Sequence, residues 1–176
     1  LELIKEELAE AGVAPSQMIS INFEDMRYSH LQTATALHDE IIKRAEGIEG
    51  KAYLFFDEIQ EVEGWEKCVN SLRVALDCDI YITGSNAKLL SGELATYIGG
   101  RYVEFVIYPF SFAEFLELYH TIAPSDSIQQ CFQKYLLAGG MPYLANLRYE
   151  EEPSRQYLTD LFNSVQLKDC LLYTSD

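Results

Sequence analysis

Asp57 and Glu58 follow directly on four consecutive large apolar residues, Tyr53-Leu54-Phe55-Phe56. Such a run is expected of a strand buried on both faces, as in a parallel sheet, and the two acids fall where that strand would end. In open α/β sheets the carboxyl edge of the strands is where ligands bind. Two carboxylates there suit Mg²⁺, which keeps several of its waters and needs only one or two protein acids plus phosphate oxygens. An Asp-Glu pair after an apolar run can equally do no more than cap a turn, so the pair needs support from the rest of the chain. Small polar residues recur at a second strand end, Thr83-Gly84-Ser85-Asn86. Arg101 and the turn Gly139-Gly140-Met141-Pro142 are the other positions with distinctive chemistry.

The elements that must position these residues alternate. Leu1, Ile4, Leu8 and Ala11 recur at helical spacing, and Gly12 and Pro15 end that helix. A short strand is expected over 18–23, ending in Glu24-Asp25. A helix carrying Leu31, Ala34, Leu37 and Ile41 precedes the central strand. Trp65, Val69, Leu72 and Leu76 mark the next helix, and a strand over 79–83 follows it. Leu89, Leu90 and Leu94 suggest a short helix, and 102–108 reads as a fourth strand stopped by Pro109. From Ser111 onward the pattern is helical only: Phe112, Phe115, Leu116 and Tyr119 form one face, Ile128, Phe132, Tyr135 and Leu136 another, and a last helix is expected over about 154–167. Strands alternating with helices predict a mostly parallel three-layer α/β core over 1–112, with an all-helical region over 113–176.

Thirteen basic residues against 28 acidic ones give a net charge of −15 in 176 residues. A surface that acidic repels nucleic-acid phosphates and anionic membranes, so direct binding to either is not expected. No apolar run approaches the length of a membrane span. Cys68, Cys78, Cys131 and Cys170 show no paired spacing, which argues against zinc and a disulfide framework and for reduced thiols in a cytoplasmic setting.

Taken in order, several segments resemble a prokaryotic ATPase of the AAA+ superfamily, in the group of AAA-domain ATPases that usually carry a further C-terminal domain. They are Ile21-Asn22-Phe23-Glu24-Asp25, the Walker B-like Leu54 to Gln60, Ile82-Thr83-Gly84-Ser85-Asn86-Ala87, Gly100-Arg101, Pro109-Phe110-Ser111-Phe112 with Glu114-Phe115, and Tyr135-Leu136 through Pro142. The resemblance implies a P-loop NTPase core with a helical lid, and ATP and Mg²⁺ as ligands. It implies Asp57 as the Mg²⁺ acid and Glu58 as the catalytic acid. Ser85 or Asn86 would sense the γ-phosphate, although Gly-Ser-Asn is also ordinary turn chemistry. Arg101 would act as an arginine finger in a homo-oligomer, or else is a strand-edge arginine paired to surplus acid. Gly140 and Pro142 match a Gly-x-Pro turn that packs on adenine in related ATPases, or form a simple helix-breaking turn.

One departure is large. The Gly-x-x-x-x-Gly-Lys-Ser/Thr loop whose backbone N–H groups and lysine cradle phosphates is absent from the sequence. The chain is therefore expected to be a fragment that lacks this loop and the strand leading into it, and to be inactive alone. At the other end, 170–175 departs from the family and is what a transposon end used in sequencing libraries would encode. An assembly artefact and a divergent tail are both open readings. The intact parent is expected to hydrolyse ATP, coupling the state of the γ-phosphate to movement of the helical lid after residue 112, with a C-terminal domain of its own chain as a partner. The alternative is a nucleotide-gated regulatory switch with slow hydrolysis. A helicase-like motor, suggested by Asp-Glu-Ile-Gln, is disfavoured by the charge and the lack of a basic-aromatic track.

Overall fold

The computed structural model describes residues 1–84, 99 and 101–166. They fall into two compact units, 1–102 and 103–176. Ser85, Asn86, Gly100, the helix read around Leu89–Leu94 and the tail from 167 lie outside the described residues.

The first unit is built on three parallel strands, β1 (Met18–Asn22), β2 (Ala52–Asp57) and β3 (Cys78–Ile82), in the order β1-β2-β3. Among the described residues, the helices that accompany them are α1 (Glu2–Glu10), α2 (Ala34–Ala45) and α3 (Trp65–Ala75). Parallel pairing places residues of equal register on the same face. Ile19, Leu54 and Ile80 form one row, and Ile21, Phe56 and Ile82 the next. Leu37 and Ile41 of α2 and Val69 and Leu72 of α3 belong to the same apolar cluster as these rows. On the opposite face Phe55 is fully buried, stacks on Tyr81 with ring centres 4.9 Å apart, and lies 5.3 Å beneath the ammonium of Lys5 in α1. Helices on both faces of a parallel sheet make the three-layer α/β architecture of a P-loop NTPase core, and they explain why β2 is apolar on both sides.

Local signals set the helix ends. Gly12, at φ 92°, closes α1 in a Schellman turn: its N–H donates to Ala9 O, and that of Val13 to Leu8 O, both at 3.0 Å. The Thr33 hydroxyl caps α2 by accepting from the Ala36 N–H. Cys68 is buried in α3 against the sheet, and desolvation pushes its thiol up to about 12.

The fourth strand read over 102–108 is not formed. These residues carry no regular secondary structure, with Phe105 81% and Ile107 89% exposed. Alternating apolar residues report only on side chains, whereas a strand also needs a neighbouring edge for its N–H and C=O groups. Among the described residues β3 ends the sheet, and nothing pairs with 102–108.

The second unit contains α4 (Phe112–Ile122), α5 (Ile128–Ala138) and α6 (Glu151–Val165). Ser111 with Glu114, and Ser127 with Gln130, form capping boxes that start α4 and α5. The last helix begins three residues before Ser154, because Pro153 falls in its first turn, where a missing N–H costs nothing. Phe115, Tyr119, Cys131, Ala138, Leu144 and Tyr149 form the core. Arg148 and Tyr149 both take left-handed backbone, φ 53° and 52°, and the Tyr149 ring lies 5.1 Å from Phe115 and 5.2 Å from Tyr119.

Candidate functional site

The acids sit where the apolar run predicts, at the carboxyl end of the central strand. Asp57 is the last residue of β2, level with Asn22 at the end of β1. That register brings the Asn22 side-chain amide to Asp57 Oδ2 at 3.0 Å. From the other side the Thr83 hydroxyl, one residue beyond β3, donates to Asp57 Oδ1. Both oxygens of the carboxylate are thus held by neutral donors from the two flanking strands. The remaining lone pairs are hard-oxygen ligands of the kind that Mg²⁺ takes, directly or through water.

Thr83 also organises the backbone. Its N–H donates to Phe56 O at 2.9 Å, its carbonyl accepts from the Ile59 N–H at 3.2 Å, and its hydroxyl accepts from the Glu58 N–H at 3.2 Å. Thr83→Val keeps the β-branched shape but removes the hydroxyl from both contacts. It is expected to destabilise the first unit by about 1–3 kcal/mol, read as a lower urea midpoint. An unchanged midpoint would show that the hydroxyl contributes nothing to holding the strand ends together.

Glu58 leaves the strand abruptly, with φ 56° and ψ 50°. A left-handed glutamate is uncommon and is found where the surroundings over-determine it, often at functional sites. Behind it, Ile59 is fully buried and begins a 3-10 turn, Ile59–Glu61. Gln60 then reaches back, its Nε2 lying 2.5 Å from Glu58 Oε2. The acids after β1 are differently engaged. Asp25 caps the following 3-10 turn and pairs with Arg27, whose guanidinium holds its carboxyl below the usual range.

The structure therefore brings Asp57 and Glu58 together at one strand end. Ser85 and Asn86 follow Thr83 in sequence but lie outside the described residues. Arg101 is exposed, on backbone that belongs to no helix or strand. Gly140 and Pro142 belong to the second unit. There Gly140 O accepts from the Phe110 N–H at 2.8 Å, and Pro142 opens a 3-10 turn, Pro142–Ala145. Three contributors lie in segments that the sequence marks, but the sequence assigns them no role: Asn22, Thr83 and Gln60. The available signal was their position, since each is a hydrogen-bonding side chain at a strand end or two residues beyond the acids.

A family model described as an AAA domain matches residues 1–116. The chain is 40% identical over 163 residues to an uncharacterized protein of Haemophilus influenzae, covering 92% of this chain and 40% of that protein. It is 36% identical over 155 residues to an uncharacterized protein of Methanocaldococcus jannaschii, covering 82% of this chain and 34% of that one. The chain thus spans well under half the length of these curated relatives. No solved structure matches it. Among the described residues no helix is long and apolar enough to cross a membrane.

Proposed function

Because the chain belongs to the AAA-domain family, we propose that its acid pair serves Mg²⁺-dependent ATP hydrolysis in a longer protein. Asp57 holds the cation, directly or through water, and Glu58 acts on the attacking water. The observation that supports this reading most strongly is the double anchoring of Asp57 by Asn22 and Thr83, beside a Glu58 turned out of the strand. A carboxylate that merely capped a turn would be bonded to backbone N–H groups of that turn, as Asp25 is through Arg27 N–H. When bound, Mg²⁺ neutralises charge on the β- and γ-phosphate oxygens. The chain's own contribution is to fix the Asp57 oxygens and to orient a general base. Ser85 or Asn86, following Thr83, is placed in sequence to sense the γ-phosphate, and Arg101 to act on a neighbouring subunit in a homo-oligomer.

The phosphate cradle is the part that residues 1–176 do not encode, and it normally supplies most of the contacts to ATP. Calorimetry with Mg·ATP tests the assignment. Full-length protein should bind, Asp57→Ala should weaken the Mg²⁺-dependent part of that binding, and residues 1–176 alone should show no micromolar affinity. Micromolar binding by 1–176, or Mg²⁺-dependent binding that is indifferent to Asp57→Ala, would overturn it.

A further inference from the structure

In an extended strand, residues two apart lie on one face at a separation of about 6–7 Å. Glu58 and Gln60 are two apart, yet their side chains are in hydrogen-bond contact, Nε2 to Oε2 at 2.5 Å. The left-handed turn at Glu58 and the 3-10 turn that follows make this possible. Ile59, buried between them, fixes the base on which both side chains stand. The orientation of the Gln60 amide follows from its partner. An ionised carboxylate only accepts, so the amide must present its NH₂ group to Glu58 and its carbonyl to the other side. That carbonyl oxygen is buried, with no hydrogen-bond partner among the described residues. Leaving it so is unfavourable, and a methionine of similar length would avoid the cost. A glutamine here is explained by the contact its other amide atom makes.

We propose that Gln60 is a positioning residue for Glu58, its side-chain amide aiming the carboxylate so that it takes the proton of the attacking water. This rests on the reading of Glu58 as the acid that acts on that water. The function requires only a donor with the reach of glutamine, so shape and hydrogen bonding can be separated by substitution.

The experiment is steady-state phosphate release from Mg·ATP by the full-length protein, comparing wild type, Gln60→Met, Gln60→Glu, Glu58→Gln and the double variant Glu58→Gln/Gln60→Met. Gln60→Met keeps length and packing but loses the donor. Gln60→Glu keeps the shape and turns the donor into an acceptor. Both are expected to lower kcat about 10- to 100-fold, the scale of misplacing a catalytic group. KM for ATP should stay within about twofold, because the contact is not made with substrate. The double variant should be no slower than Glu58→Gln, since Gln60 acts only through that carboxylate. Wild-type kcat in Gln60→Met would reduce Gln60 to a space-filling turn residue and overturn the proposal. So would a double variant slower than Glu58→Gln. If Glu58→Gln itself turns over like wild type, the catalytic reading of the site falls and the positioning role with it. A dead Glu58→Gln beside a fully active Gln60→Met removes the positioning role alone.

Discussion

Glu58→Gln in the full-length protein is expected to lower Mg·ATP turnover by about 10²- to 10⁴-fold, the usual worth of a positioned general base. Glutamine keeps the volume and one hydrogen-bonding oxygen, so the backbone at φ 56° and the packing of Ile59 should survive the change. Only the ability to take a proton from water is lost. ATP affinity should therefore hold within about twofold, as for an interaction made in the transition state alone. Phosphate release under single-turnover conditions and equilibrium binding of Mg·ATP separate the two effects. Turnover equal to wild type would sink the enzyme reading. It would favour a switch that binds nucleotide and reports its state to a partner domain.

Gly140→Ala is expected to damage the second unit more than any exposed substitution there. A Cβ on Gly140 would lie 2.1 Å from Phe110 O and 2.9 Å from the Phe110 N and C. These are backbone atoms, already tied by the Phe110 N–H to Gly140 O at 2.8 Å and by the Tyr135 hydroxyl to Phe110 O at 2.9 Å. Relief of the overlap must move Phe110 away and break those bonds. Overpacking costs about 1–3 kcal/mol or more, and the lost hydrogen bonds add about 0.5–1.5 kcal/mol each. For a unit of this size a loss of about 3 kcal/mol lowers Tm by roughly 10 °C or more. Near-ultraviolet circular dichroism of the Phe115, Tyr119 and Tyr149 cluster follows the transition. An unchanged melt with a raised KM for ATP would instead assign Gly140 to nucleotide contact.

The sheet was legible because its strands announce themselves by side chains alone. Met18 to Asn22, Ala52 to Asp57 and Cys78 to Ile82 are short runs rich in apolar and β-branched residues and bounded by turn residues, and the burial of β2 on both faces leaves that strand little choice of structure. The stretch 102–108 has the same surface features, but it lacks a ladder partner among the described residues, and no local pattern reports that. The acids were legible by type and place. Their supports were not, because the contacts of Asn22 and Thr83 with Asp57 depend on register between residues 35 and 26 positions apart in the chain. Gln60 was hidden for another reason: its contact needs a left-handed glutamate, a conformation that residue type disfavours. Gly140 read as a turn, but the reason that only glycine fits lies 30 residues away at Phe110.

The pairing of Asn22 with Asp57 and of Phe56 with Ile82 has a bearing on how errors in assembly are handled. A slip of one residue between β1 and β2 would turn Ile19 and Ile21 away from the helices that bury them, since side chains alternate across the sheet. The same slip would carry Asn22 off Asp57. A one-residue slip therefore cannot yield a well-packed unit with a disordered acid pair, because it costs the burial of Ile19 and Ile21 at the same time. The hydrophobic penalty proofreads the chemistry, and the few polar contacts at the strand ends inherit an accuracy that they are too weak to enforce themselves.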